Sequence, residues 1–234
     1  SSRALKEYDM VGQKDFVQLT YEGIRNDYVF NGGYDWKTAS AYASMDLGPS
    51  LGGNSNPEIY NPFKNYTWDT LIDPATGMVH ADAVSAWDES WMDAIQKKNA
   101  LRHEHQLSVN GGTEKTKYMF SLGYLNEDGI LVNTGFQRYN ARVNVNSEIN
   151  DWFKTGLNTS LATSKQNFSD YDGASNSNVW YSAQFMAPIY PMYLKDADGN
   201  DLLDSNGNRQ LDYGEYGRPQ YSDFNPLGGL TDDK

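Results

Sequence analysis

From Arg138 to Asn146, polar and apolar residues alternate without a break. Tyr139, Ala141, Val143 and Val145 take the odd positions, and Arg138, Asn140, Arg142, Asn144 and Asn146 the even ones. Successive side chains of a strand point to opposite faces, so this period predicts a sheet with one apolar and one wet face. The flanking sequence repeats it, and strands are predicted over 103–110, 116–125, 136–149 and 152–163. The second sets Tyr118, Phe120, Leu122 and Tyr124 on one face. The fourth alternates Phe153, Thr155, Leu157, Thr159 and Leu161 against Lys154, Gly156, Asn158 and Ser160.

The connections alternate too. Gly111-Gly112-Thr113-Glu114 and Asn150-Asp151 make tight turns, Asn126 to Gly135 is longer, and the flanks are longer still. Antiparallel strands reverse direction each time, so both tight turns lie at one end of the sheet and the long loops at the other. A continuous apolar face opposite a face too polar for a core, with this loop asymmetry, is the pattern of a transmembrane β-barrel wall. A β-sandwich is the competing architecture.

Helical spacing is sparser. Val17, Tyr21, Ile24 and Tyr28 predict a helix over 13–28. Val84, Trp87, Trp91 and Ile95 predict a second over 82–98, with Asp82 as its cap and Lys97-Lys98 at its C-terminal end. Trp87 and Trp91 either pack on a neighbouring sheet or form a stacking platform for a ligand. Residues 29–80 are punctuated by Gly48-Pro49, Gly52-Gly53, Asn56-Pro57, Asn61-Pro62 and Asp73-Pro74, which predict a long irregular excursion. The organisation expected is a 1–100 region with a long loop and two short helices, a 101–165 meander of strands, and a 166–234 loop region.

Composition narrows the partners. A net charge of −12 argues against nucleic acid and against an anionic membrane surface, both of which need basic patches. The 17 tyrosines suit an interface with one apolar and one wet side. No apolar run approaches the ~20 residues of a spanning helix, which excludes a helical membrane protein and leaves a barrel open. The first fourteen residues are polar without the apolar centre of a leader, and the chain reads as a segment of a longer protein.

Candidate chemistry is limited. His103 and His105 share one face of a predicted strand, as a metal pair or as two interface histidines. Asp204, Asn206, Asn208, Gln210, Asp212 and Glu215 fall at positions 1, 3, 5, 7, 9 and 12 of an EF-hand calcium loop, but Arg209 stands where that loop needs glycine. The candidate calcium ligands are therefore Asp204, Asn206, Asn208, Asp212 and Glu215. The other reading is a pair of turns built on Asp-Gly-Asn and Asn-Gly-Asn. No phosphate loop, nucleophile elbow or zinc helix is present, and no enzymatic activity is expected.

Several motifs occur in a telling order. Trp87, Asp88, Trp91 and Asp93 precede His105 to Gly112, which reads His-Gln-Leu-Ser-Val-Asn-Gly-Gly. Tyr118 to Tyr124, Gly129 to Leu131, Phe136 to Asn144 and Trp152 to Gly156 follow. Tyr21 to Asn26 lies upstream, and Ala187 to Pro191 and Leu211 to Gly214 downstream. Together they resemble the SusC/RagA family of TonB-dependent outer-membrane transporters of Bacteroidetes, from just after the plug into the early barrel. The resemblance implies a barrel of about 22 strands in the whole protein. It further implies uptake of glycans or peptides, a SusD-like lipoprotein lid, TonB acting through a plug, and no catalytic residues or certain cofactor. Calcium sites occur in loops of the family, without assigning ligands here.

On this reading Tyr118, Phe120, Leu122, Tyr124, Tyr139, Val143, Val145, Phe153, Leu157 and Leu161 face lipid. Arg138, Arg142, Asn144, Asn146, Lys154 and Asn158 face the lumen, and the 29–80 and 164–234 loops face outward. The alternative is a secreted or surface β-sandwich that binds carbohydrate, with or without calcium.

Overall fold

The computed structural model describes residues 10–168 and 178–231. In chain order its elements are α1 (Gln13–Phe30), α2 (Trp36–Gly52), a 3-10 helix at Pro57–Tyr60, β1 (Ile72–Asp73), β2 (Met78–Val79) and α3 (Trp91–Ile95). Then come β3 (Arg102–Gly112), β4 (Thr116–Asp128), β5 (Gly135–Asn150), β6 (Phe153–Asn167), α4 (Val179–Phe185) and α5 (Gly228–Thr231). The chain divides into two compact units. One spans 96–168 and the other joins 10–95 to 178–231, leaving residues 169–177 of the predicted second loop outside the described set.

The first unit is the predicted meander. β3, β4, β5 and β6 pair in that order, all antiparallel. Gly112 pairs with Lys117 across the first tight turn, and Asn150 with Phe153 across the second. A register shift between Glu148 and Asn150 marks a bulge beside that turn. The strands outrun their predicted ends, β6 continuing to Asn167.

The second unit departs from expectation. The 29–80 excursion contains α2, 17 residues long. Asp35 caps it, Oδ1 accepting from the Lys37 and Thr38 amides at 3.0 and 3.1 Å. Ala39, Ala43, Leu47 and Leu51, four apart, form its buried stripe. The pair Gly48-Pro49 reads as a turn, yet it lies in the last turn of the helix. Gly48 is where Trp68 lies on the helix, since a Cβ there would stand 3.2 Å from that side chain. Gly53 ends α2 at φ 83° and ψ 173°, a region open essentially to glycine alone.

The helix predicted over 82–98 is also corrected. Only Trp91–Ile95 is helical. Upstream the backbone is extended, with Lys64 N–H donating to Val84 O at 2.9 Å and Ala86 N–H to Pro62 O at 2.6 Å. Trp87 and Trp91 are buried, but not against a sheet. Their indole N–H groups donate to Ile189 O (3.0 Å) and Tyr190 O (3.1 Å). Gln13 at the start of α1 donates to both Trp87 O and Pro188 O. The segment expected as an outward loop thus contributes Val179, Ala183, Met186, Ile189, Tyr190 and Met192 to a shared core with Val17, Tyr21, Leu47, Trp68 and Ile95.

Candidate functional site

The register places every side chain of the four-stranded sheet on one of two faces. Rows on the first read Gly111, Tyr118, Val145, Leu157; then Val109, Phe120, Val143, Thr159; then Leu107, Leu122, Ala141, Leu161; then His105, Tyr124, Tyr139, Thr163. Phe153 extends this face beside the tight turn. All ten residues expected to share the apolar face do so. Leu107, Leu157 and Leu161 are 61%, 57% and 67% exposed, so the described residues leave this face bare. An open trough of about 800 Å³ runs over it. Beyond the Tyr124 row come His103, Asn126, Gln137 and Lys165.

The other face is wet. Rows there read Asn110, Met119, Asn144, Asn158, then Ser108, Ser121, Arg142, Ser160, then Gln106, Gly123, Asn140, Ala162. Asn140 lies over Gly123 and Asn146 over Gly156, each amide oxygen 2.5 Å from where a Cβ would stand. The sheet unit's ion pairs are Arg102–Glu104, Arg102–Glu127, Lys154–Glu148 and Lys97–Asp128. Arg138 and Arg142 therefore have no carboxylate partner among the described residues.

His103 and His105 stand on the apolar face with ring centroids 5.7 Å apart, and His105 stacks on Tyr124. Among the described residues no three His, Asp or Glu side chains converge as metal ligands.

The five candidate calcium ligands are distributed by the fold over different tasks. Asp204 closes a turn, its Oδ1 accepting from the Asn206 and Asn208 amides at 2.8 Å each. Eight residues earlier Asp196 does the same with Asp198 and Asn200 at 2.9 Å. Both Gly199 (φ 84°) and Gly207 (φ 83°) take the left-handed position, so the acidic segment holds a tandem pair of turns. The amide donors, Asn200 first for Asp196 and Asn208 first for Asp204, hold both carboxyls below the ordinary aspartate range.

Glu215 accepts from the Tyr213 amide at 2.9 Å. Asp212 points inward, fully buried, and the cation beside it is Arg218 at 2.7 Å. Its Oδ1 accepts from the Tyr60 hydroxyl (3.1 Å) and the Gly214 amide (2.9 Å). Burial pushes this carboxyl up, with Arg218 opposing. The remaining Arg218 donors reach Gln220 O, Tyr221 O and Phe224 O. Asn225 closes the network by donating to Met192 O and Asp212 O at 2.9 Å each.

Lys195 makes a second charged centre, with Glu89 at 2.5 Å and Asp201 at 2.6 Å. Burial lowers its pKa, but the hydrogen bonds that its ammonium donates to Asp201 and Glu89 outweigh this and the net shift is upward. Neither centre leaves a periodic trace in the sequence, because each joins residues from separate segments.

No protein-family model matches the chain. Among curated proteins it is 28% identical over 138 residues to the TonB-dependent receptor SusC of Bacteroides thetaiotaomicron, covering 58% of this chain and 12% of that one. It is 30% identical over 122 residues to the TonB-dependent receptor P3 of Formosa agariphila, covering 50% and 12%. With the receptor P39 of the same organism it shares 26% over 197 residues, covering 83% and 17%. The chain is similar to TonB-dependent receptors, SusC among them. It spans between 12% and 17% of the length of these relatives. The structure of the RagAB peptide transporter aligns with a TM-score of 0.47 at 21% identity, over 88% of this chain and 20% of that one. All three of these curated relatives are named TonB-dependent receptors.

Proposed function

We propose that this chain is part of an outer-membrane, TonB-dependent importer of glycans, working with a SusD-like lipoprotein over its outer mouth. The observation that carries the reading is the division of one sheet into a bare apolar face and a wet face, with both tight turns at one end. On the strands of the apolar face, from Gly111 to His103 and across to Lys165, Lys165 is the one residue with a full charge at neutral pH. Phe153 and Thr163 are ten residues apart along β6. That is about 34 Å of strand, or about 26 Å across a bilayer at a tilt of ~40°, which matches the apolar band of an outer-membrane barrel.

The further strands of the barrel and the plug belong to the parts of the receptor outside this chain. Arg138 and Arg142 on the wet face suit a carboxylate-bearing surface in the lumen, such as a plug would present. Energy transfer from TonB runs through that plug. The β-sandwich alternative needs a second sheet of comparable size. Among the described residues the other sheet is β1–β2, two residues each.

The test uses the full-length receptor in intact cells. A cysteine at Asn206 is expected to react with a membrane-impermeant thiol reagent, whereas one at Glu114 in the first tight turn is expected to stay protected. The reverse pattern sinks the orientation. Loss of uptake of oligosaccharides, but not of oligopeptides, on deleting the receptor supports the substrate class, and the opposite result overturns it.

A further inference from the structure

Arg25 reaches from α1 to the first residue of α2. Its guanidinium lies over the Trp36 indole at 4.1 Å and beside the Tyr21 ring at 5.3 Å. It also meets the turn after β1, since a Cβ at Gly77 would stand 3.6 Å from its Nη1. Its Nε is buried and has no hydrogen-bond partner among the described residues. Nor does its guanidinium pair with any carboxylate of those residues. Two carboxylates of the same elements are engaged elsewhere. Glu22, one turn back on α1, accepts from Gln18 Nε2 at 2.7 Å. Asp73, in the turn that contains Gly77, accepts from the Ala75 amide at 2.8 Å and the Thr76 hydroxyl at 3.0 Å.

A guanidinium stacked on rings has lost water from its faces and keeps its edge for recognition. That edge presents parallel N–H donors spaced for the two oxygens of a carboxylate. A buried donor left unmade is costly, so the site calls for an acceptor. The surface beside it has the composition of an interface core, which is enriched in Trp, Tyr and Arg. Trp36 is 56% exposed. Tyr28, Tyr34 and Tyr42 cluster with ring centroids 5.2 to 5.8 Å apart, and Tyr34 and Tyr42 remain exposed.

The occupant follows from charge and length. A polyanion is repelled by a chain of net charge −12 that carries Asp15, Glu22 and Asp27 on the same helix, whereas one carboxylate suits one unpaired cation. This chain spans between 12% and 17% of the length of the curated relatives, so most of such a receptor lies outside it.

We propose that a carboxylate from another segment of the same receptor, outside residues 1–234, closes on the edge of Arg25, with an apolar side chain beside it on Trp36 and Tyr34. The contact ties the α1–α2 hairpin to the rest of the receptor. The inference rests on reading the chain as part of a longer TonB-dependent receptor, and adds a named docking point to it.

The test is photo-cross-linking of the full-length receptor in intact cells, with p-benzoylphenylalanine in place of Trp36. The expected product is an internal cross-link, mapped by mass spectrometry to a segment beyond residues 1–234 that carries an Asp or Glu. Arg25→Gln and Arg25→Glu are each expected to lower its yield about tenfold, the scale of a lost hot-spot contact. Changing the mapped acid to Arg is expected to restore the yield in the Arg25→Glu receptor. Arg25→Gln keeps the helix pair, because the Nε it removes bonds to nothing within the described residues. A cross-link to a second protein, a lipid or a glycan overturns the proposal, as does one to a receptor segment without a carboxylate. An unchanged yield in Arg25→Gln overturns it too. A receptor that imports normally but gives no internal cross-link overturns this contact and leaves the importer reading standing.

Discussion

Arg218 places its guanidinium 2.7 Å from Asp212 Oδ2, with neither side chain exposed to solvent. A buried ion pair stabilises only when its remaining donors and acceptors are satisfied, and here carbonyls, an amide and the Tyr60 hydroxyl complete it. Removing one partner leaves the other as an uncompensated buried charge. Arg218→Ala is therefore expected to cost about 3–5 kcal/mol in the unit that joins 10–95 to 178–231. Hydrogen exchange over 211–225 in the full-length receptor reads this out, and unchanged protection would contradict the pairing. Replacing both residues by apolar ones of similar size is expected to restore much of the loss.

Val143 and Asn144 are neighbours in β5 and point to opposite faces. Val143→Arg near the bilayer midplane is expected to cost about 2–4 kcal/mol of membrane folding stability, and Asn144→Arg little. Urea titration of the full-length receptor in lipid vesicles measures both. Equal effects would refute the assignment of the two faces.

Gly53 combines a restricted backbone with a close neighbour. An added Cβ would stand 2.2 Å from Gly217 O. Gly53→Ala is expected to destabilise the same unit by at least about 1–3 kcal/mol from backbone strain alone. Limited proteolysis of the variant should show faster cleavage in the Gly53 and Gly217 segments.

The Asp196 and Asp204 turns carry a pH dependence. Both folded-state pKa values lie below the ordinary value of 3.8, so the stabilisation is present above that pH and is lost as pH falls through the folded values. Amide exchange at Asn200 and Asn208 should accelerate in that acid range. Asp204→Asn should abolish the pH step at Asn208 while leaving it at Asn200, and a step that survives would show that Asp204 is not its source.

The legibility of this molecule follows the range of its interactions. The alternation of Tyr139, Ala141, Val143 and Val145 named both faces of β5, and β5 runs as the period requires. The motif series also pointed to the SusC-type relatives. α2 stayed hidden, because its stripe uses the small residues Ala39 and Ala43 and its Gly48-Pro49 pair resembles a turn. Trp87 and Trp91 were visible as a buried pair, but their partners, Ile189 O and Tyr190 O, lie about a hundred residues away in sequence.

The sheet is legible in the residue pattern alone: strand number, turn ends and the sorting of side chains into an oily and a wet face. Those properties are local, since a period of two and a tight turn are each written within a few residues. The unit that joins 10–95 to 178–231 is settled by contacts between distant segments. There Asp212 is turned inward to Arg218 rather than outward with Asp204, because burial and ion pairing depend on which distant segments share a core.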